Sequence, residues 1–90
     1  MMYDNVERFR ENLSNTEYLN NGVRHVYNFD NGYGASVIKH DYSYGGKKGL
    51  WEIAVLEGEE LCYTSGITDD VIGHLTWSNV ENYLQQIKEL

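Results

Sequence analysis

Proline is absent from this 90-residue chain, and cysteine occurs once, as Cys62. A single thiol excludes an intramolecular disulfide, and such sparing use of cysteine is typical of a reducing compartment. Because Cys62 stands between Leu61 and Tyr63 in a strand-like, acidic run, we expect a buried structural thiol and no nucleophile there. There is no long apolar run and no charged-then-apolar leader, so a cytoplasmic protein without a membrane partner is expected.

Basic residues are scarce in the second half of the chain. From residue 49 onward Lys88 is the only lysine or arginine, and the whole formal net charge of −7 arises there. The acids of this half are Glu52, Glu57, Glu59, Glu60, Asp69, Asp70, Glu81 and Glu89. This balance disfavours direct nucleic-acid binding, which requires a basic surface. The acids could occupy a basic groove on a partner protein, or form a solvated surface that maintains solubility.

The remaining composition predicts one small domain over residues 1–90. Apolar residues make up 41% of the chain and aromatic residues 13%, which suffices for a small core and argues against disorder. Tyrosine, with eight copies, supplies most of the aromatic content. Its polar tip suits both thin cores and interfaces, so this excess alone does not locate a site.

Periodicity predicts a helix at each end of the chain. Asp4 can cap the first helix, which ends near Leu13 or Ser14 and places Val6, Phe9 and Leu13 on one face. Tyr18 and Leu19 are expected to pin the following linker to the core. The last helix has apolar residues at helical spacing from Val80 to Leu90. Two starts remain open for it, a capping box of Ser78 with Glu81 or a hydrophobic staple around Thr76.

Four strands are predicted between these helices, at residues 23–29, 33–40, 50–56 and 60–64. Asp30-Asn31-Gly32 is a strong hairpin-turn signal, and Gly34 suggests a bulge or a close backbone approach. Thr68 and the two acids after it would cap one helical turn that ends at Gly73. The expected fold is therefore α+β (α-β-β-β-β-α), a four-stranded antiparallel meander with both helices packed on one face. The other face, wetter, is a candidate binding surface.

The glycine-rich stretch 42–49 invites comparison with a phosphate-binding loop. A phosphate loop leads from a strand into a helix, whereas this stretch leads into the apolar strand 50–56, so nucleotide binding is disfavoured. It is expected to be a hairpin tip that serves as a connector or as a contact loop. The residues it would present are Tyr42, Tyr44, Lys47 and Lys48.

No residue pattern indicates catalysis or a metal. His25, His40 and His74 fall in different predicted elements and lack the short spacing of metal ligands. Asp69 and Asp70 are better explained as a helix cap than as an acid/base pair. We therefore expect no enzyme, no cofactor and no metal. The candidate partner-binding residues are Tyr42, Tyr44, Lys47, Lys48, Glu57, Glu59, Glu60, Asp69 and Asp70.

Several segments resemble a group of small uncharacterised proteins encoded by bacteriophages and prophages. They are NGYGASV at 31–37, the Tyr44-Gly45 pair, GLWEIAVL at 49–56 and ITDDVIGHL at 67–75. The resemblance implies a phage accessory protein that acts inside the bacterial host cell. It carries no known catalytic or binding residues, and the first helix lies outside it.

These observations favour a non-catalytic protein that binds and modulates a bacterial host protein, with inhibition as the expected effect. A nucleic-acid-handling defence enzyme would fit, because the acids could compete for its basic channel. The first alternative is a self-associating assembly module that uses an exposed sheet face or edge. A small-ligand-binding domain built on the tyrosine-rich turn is the remaining alternative.

Overall fold

The computed structural model describes residues 7–58, 60–61 and 71–90. In this part of the chain, strands form one antiparallel sheet, and a C-terminal α-helix covers one face of it. The strands are β1 (Leu13–Leu19), β2 (Gly22–Asn28), β3 (Tyr33–Lys39), β4 (Trp51–Glu57), β5 (Glu60–Leu61) and β6 (Ile72–Leu75), and the helix is α1 (Trp77–Lys88). Two short 3₁₀ helices span Glu7–Asn12 and Gly46–Lys48.

The sheet follows the chain order β1-β2-β3-β4, and both β5 and β6 pair with the far side of β4. β6 lies beside the start of β4, where Trp51 faces Leu75, and β5 lies beside its end, where Leu56 faces Leu61. The antiparallel α+β class is confirmed. The prediction of four strands is wrong, since the described residues form a six-stranded sheet.

The core lies between α1 and one face of the sheet. Register places His25, Val37 and Ile53 side by side across β2, β3 and β4, and these side chains alternate with residues of the opposite face. The buried cluster consists of Phe9, Tyr27, Phe29, Ala35, Val37, Trp51, Ile53, Val55, Leu75, Val80, Leu84 and Ile87. The predicted strands 23–29, 33–40 and 50–56 correspond to β2, β3 and β4. Their bounds differ by about one residue, as is usual for such boundaries.

Helix α1 is fixed at both ends. At its start the Thr76 hydroxyl accepts a hydrogen bond from the Asn79 backbone N–H, in a capping box completed by the Asn79 side chain. This resolves the predicted start in favour of Thr76 and excludes the Ser78 box. At its end Asn31 Nδ2 donates to the carbonyl oxygens of Ile87 at 2.8 Å and Lys88 at 3.1 Å. The turn between β2 and β3 thus satisfies carbonyls that a helix C-terminus leaves unpaired.

The predicted N-terminal α-helix is wrong over the described residues. Glu7–Asn12 is a 3₁₀ segment interrupted at Phe9, whose φ of −119° and ψ of 27° are not helical. Phe9 nevertheless is buried in the core, edge-on to Phe29 with 6.1 Å between ring centroids. A predicted helix of about ten residues has little stability of its own, so tertiary packing and the strand after it decide the local conformation. Its expected cap, Asp4, lies outside the described residues.

The predicted linker after that helix is strand β1, a correction that follows from turn chemistry. Asn20 and Asn21 have φ of 50° and 63°, the left-handed pair of a two-residue type I′ hairpin turn. That turn pairs Leu19 with Gly22 and brings β1 alongside β2. Tyr18 and Leu19 do not pin the segment to the core, because they are 83% and 36% exposed.

The predicted helical turn at 68–73 is also wrong where the structure describes it. Ile72–Leu75 is strand β6, paired with β4, and Gly73 is not a left-handed helix terminator. A side chain at Gly73 would overlap the Tyr44 side chain, so glycine is required by a close approach. The predicted cap residues 68–70, Cys62 and the end of the predicted fourth strand lie outside the described residues.

Candidate functional site at the tyrosine-bearing end of the sheet

The connection between β3 and β4 begins with a tight turn held by side-chain hydrogen bonds. Ser43 Oγ donates to the His40 carbonyl oxygen at 2.9 Å and accepts from the His40 N–H at 3.0 Å. The Tyr42 N–H donates to His40 Nδ1 at 3.1 Å. The serine hydroxyl adds to the backbone bond from the Ser43 N–H to the His40 carbonyl oxygen, so several hydrogen bonds hold the turn that carries Tyr42.

Glycines shape the second half of this connection for reasons of backbone geometry. Gly45 and Gly49 have φ of 87° and 78° and flank the 3₁₀ helix Gly46–Lys48. A Cβ on Gly46 would overlap the His40 carbonyl oxygen. The stretch therefore runs from strand to strand through a single 3₁₀ turn, without the long helix that a phosphate loop precedes.

Hydrogen bonds attach this connection to the neighbouring β1–β2 turn. The Asp41 N–H donates to the Asn20 carbonyl oxygen at 3.0 Å. In return Asn21 Nδ2 donates to Asp41 Oδ2 at 2.8 Å. Tyr42 is consequently held next to the tip of the β1–β2 hairpin.

The other side of the connection is attached to β4 and β6. The Tyr44 N–H donates to Glu52 Oε1 at 2.9 Å, and its carbonyl oxygen accepts from the His74 N–H at 3.1 Å. Both tyrosines of the loop are thus fixed through their own or adjacent backbone groups, while their side chains project from the surface. Tyr42 is 81% exposed and Tyr44 is 62% exposed.

Exposed aromatic and basic side chains therefore share one end of the sheet. We define the tyrosine end as Tyr18, Leu19, Tyr42, Tyr44, Lys47 and Lys48, all of which are exposed. An open depression of about 580 Å³ lies beside Tyr18 and Leu19 and continues to Val23. Of these six residues, Tyr42, Tyr44, Lys47 and Lys48 were sequence candidates for partner binding, whereas Tyr18 and Leu19 were not.

The predicted acidic residues do not join this surface where they are described. Glu57 and Glu60 face each other across β4 and β5, at the end of β4 remote from the loop. The chain between Trp51 and Glu57 is extended, which separates the two ends by roughly 20 Å at about 3.3 Å per residue. Lys47 and Glu57 thus belong to different surfaces. Glu59, Asp69 and Asp70 lie outside the described residues.

An aromatic cluster that the sequence did not indicate lies next to the tyrosine end, on the sheet face that α1 covers. The His25 ring stacks on Trp51 at 5.7 Å, and Trp51 meets Trp77 at 4.9 Å. Lys39 Nζ is 4.6 Å from the centroid of a Trp51 ring, a cation–π distance. Thr16 Oγ1 is 3.0 Å from His25 Nδ1. Burial, with a smaller contribution from the positive charge of Lys39, lowers the pKa of His25 below its usual 6.5.

The lowered pKa of His25 predicts a loss of stability in mild acid. Unfolded His25 binds a proton near pH 6.5, whereas the folded side chain resists protonation to a lower pH. The stabilisation that neutral His25 gives the folded state is therefore complete above pH 6.5. It is lost as the pH falls from 6.5 through the pKa of His25 in the folded state. We expect His25→Gln to flatten this part of the stability profile in urea unfolding at pH 7.5, 6.5, 5.5 and 5.0.

The matched control is His74→Asn, since His74 is exposed and asparagine tolerates its φ of 58°. We expect this variant to keep the acid-dependent loss of the unchanged chain. Equal slopes for the His25→Gln and unchanged proteins would contradict the role given to His25.

The sheet face opposite α1 offers a smaller groove of about 260 Å³. It is lined by Ser14, Asn15, Glu17, Arg24, Val26, Asn28, Leu56 and Gly58. Several of its polar groups bond to one another: Arg24 Nη1 lies 3.1 Å from Glu17 Oε1, and Asn28 Nδ2 donates to Ser14 Oγ at 2.8 Å. Beside it Ser36 and Ala54 are only 5% and 6% exposed, so the face is less wet than predicted.

Within residues 7–58, 60–61 and 71–90, no three histidine, cysteine or acidic side chains are grouped as they would be around a metal ion. No helix in that same part of the chain is long and apolar enough to cross a membrane. No protein-family model, curated protein or solved structure matches the chain.

Proposed function

We propose that this protein is a non-catalytic interaction protein that binds another protein through the tyrosine end. The observation that carries the proposal is the exposure of Tyr18, Tyr42 and Tyr44, between 62% and 83%, at one end of the sheet. Tyrosine is enriched in protein interfaces because a ring with two side-chain torsions buries a large area at a small entropic cost.

Order in the surrounding backbone supports this proposal. The bonds of Asp41 to Asn20 and of Tyr44 to Glu52 hold the loop before any partner arrives. Binding then costs the conformational entropy of the interface side chains but not that of a flexible loop, and this smaller cost preserves affinity. Exposed Lys47 and Lys48 beside the tyrosines favour a partner surface with acidic or carbonyl groups.

The partner we propose is a bacterial host protein, which the protein inhibits in the manner of a phage accessory protein. The support for the host is the resemblance of residues 31–37, 49–56 and 67–75 to phage and prophage proteins. The acids Glu57 and Glu60, at the remote end of β4, would make a second contact if the host protein presents a basic nucleic-acid channel.

The test is affinity capture from a bacterial lysate with the tagged chain and a Tyr42→Ser/Tyr44→Ser variant. Loss of two central interface tyrosines is expected to lower recovery of the captured protein at least about tenfold. Leu90→Ser is the matched control, because Leu90 is 42% exposed, follows α1 in the chain, and belongs neither to the tyrosine end nor to the acidic pair Glu57 and Glu60.

Equal recovery by the tyrosine variant and the unchanged chain would overturn the proposal. A second variant, Glu57→Ser/Glu60→Ser, tests the acidic contact across a salt series. We expect it to weaken capture at low salt and to remove part of the salt dependence. Unchanged salt dependence would remove the basic-channel partner and leave the tyrosine end as the binding surface.

A further inference from the structure

Strand β1 forms an edge of the sheet that no described strand covers. Among the described strands it pairs with β2 alone, and its outer side carries neither proline nor lysine, two residues that protect natural edge strands. A register shift between Leu13 and Asn15 interrupts the pairing at Ser14. The regular edge therefore runs from Asn15 to Leu19.

Hydrogen-bond alternation identifies which backbone groups of this edge face outward. Leu19 and Gly22 close the two-residue turn, so they form a hydrogen-bonded pair, and the pair of Glu17 with Arg24 repeats that pattern. Thr16 and Tyr18 occupy the alternate positions. Their N–H and C=O groups consequently point away from β2, where they can pair with a further strand.

The side chains around these groups specify what the further strand must carry. Tyr18 lies on the core-side face, beside the open depression that extends to Val23. Glu17 lies on the opposite face, and its Oε1 is 3.1 Å from Arg24 Nη1. A base facing Glu17 from the new strand would place the carboxylate between two cations across the sheet, a favourable cross-strand arrangement.

The same charge argues against a second copy of this chain as the occupant. An antiparallel copy that uses both outward residues would pair Thr16 with Tyr18 of the other copy. Such a register sets Glu17 directly opposite the Glu17 of that copy, and like charges directly opposite are destabilising. Shifting the register by two residues relieves the repulsion but leaves one outward pair unused.

We propose that β1 receives an extended segment of the partner protein, added as an antiparallel strand with a lysine or arginine facing Glu17. Apolar residues on either side of that base would face Thr16 and Tyr18, and the one facing Tyr18 would lie beside the depression. This inference rests on the proposed function, since it describes how the partner at the tyrosine end is held. It corresponds to strand addition, in which backbone bonds give affinity and alternate side chains give specificity.

The first experiment uses the unchanged chain and a short acetylated, amidated peptide, Thr-Val-Lys-Val-Thr. Amide hydrogen exchange and chemical shifts are followed by NMR as the peptide is added. We expect saturable protection of the Thr16 and Tyr18 amides, with little change at Glu17 and Leu19, whose N–H groups already face β2. A peptide with glutamate in place of lysine is expected to bind at least about fivefold more weakly.

No saturable effect at the Thr16 and Tyr18 amides, or an effect confined to residues 41–50, would overturn strand addition. Equal binding of the lysine and glutamate peptides would overturn the assignment of a base opposite Glu17.

The second experiment compares Thr16→Pro with Thr16→Val in the lysate capture. Proline removes an outward N–H without removing a β1–β2 hydrogen bond, whereas valine removes only the hydroxyl that reaches His25. We expect proline to lower recovery about fivefold or more and valine to preserve it. Suppose that the proline variant recovers the partner protein fully while Tyr42→Ser/Tyr44→Ser loses it. That result would contradict strand addition and still support the proposed function.

Sedimentation of the unchanged chain tests whether a second copy of this chain pairs with β1. A concentration-dependent dimer that Thr16→Pro abolishes would assign the edge to a second copy and overturn the proposal. A monomer that retains peptide binding supports it.

Discussion

Replacing Trp51 with alanine is expected to destabilise the fold by about 3 to 5 kcal/mol. Trp51 is 3% exposed and joins the sheet to the start of α1 through its contact with Trp77. Truncation removes a large buried apolar area and leaves a cavity. It also removes the stacking of Trp51 on His25, which lowers the free energy of unfolding further. Native domains have only about 5 to 15 kcal/mol of total stability, so this loss removes a large part of it.

Urea unfolding followed by circular dichroism measures this effect without depending on tryptophan fluorescence. Trp51→Phe keeps an aromatic ring in the same place, so its free energy of unfolding should fall clearly less than that of Trp51→Ala. Tyr42→Ala, a truncation of an exposed aromatic, is expected to stay within about 0.5 kcal/mol of the unchanged chain. A Trp51→Ala midpoint close to that of Tyr42→Ala would show that the cluster around Trp51 does not hold the fold.

The sequence predicted the elements whose signals are local. Asp30-Asn31-Gly32 makes its hairpin turn, and the apolar run at 51–56 becomes an interior strand. Helix α1 buries Val80, Leu84 and Ile87, as their spacing indicates. In each case the residues that determine the structure lie within one short window.

The elements it missed depend on contacts between distant residues. β1 is an edge strand with mostly exposed side chains, so no apolar alternation marked it as a strand. β6 includes His74 in a left-handed conformation and depends on pairing with β4, about twenty residues earlier in the chain. The local sequence predicts Asn31 only as a turn former, whereas its bonds to the end of α1 join residues more than fifty positions apart.

The candidate site divides in the same way. The glycine pattern located the loop with Tyr42 and Tyr44, but nothing in it showed that Tyr18 shares that end of the sheet. That proximity results from the Asn20–Asp41 hydrogen bond, which joins two separate turns. The charge count likewise could not show that Glu57 ends β4, whereas Lys47 lies in the loop before the opposite end of that strand.

Replacing Tyr27 with phenylalanine is expected to stabilise the protein by about 1 kcal/mol or more at neutral pH. Tyr27 is fully buried, and its hydroxyl has no hydrogen-bond partner among the residues that the structure describes. An unsatisfied buried hydroxyl costs about 1 to 3 kcal/mol, which phenylalanine avoids while filling nearly the same volume. Most substitutions of buried tyrosines destabilise, so an increase would be diagnostic of this environment.

The gain should increase in alkali. Burial, and secondarily the negative charge of Glu81, raises the pKa of Tyr27 from 10.0 to about 12. Between those values the unfolded chain releases a proton that the folded chain retains, so the stability of the unchanged protein falls as the pH rises. The loss is about 1.4 kcal/mol for each pH unit in that window, and Tyr27→Phe lacks it.

Urea unfolding of both proteins at pH 7, 9, 10 and 11 separates the two contributions. The neutral-pH difference reports the unsatisfied hydroxyl, and its growth above pH 10 reports the ionisation of Tyr27. Tyr42→Phe is the control, because its exposed ring should change the midpoint little at pH 7. A Tyr27→Phe variant less stable than the unchanged chain at pH 7 would mean that the hydroxyl is hydrogen-bonded. A difference that stays constant from pH 9 to 11 would mean that Tyr27 ionises as readily in the folded state as in the unfolded one.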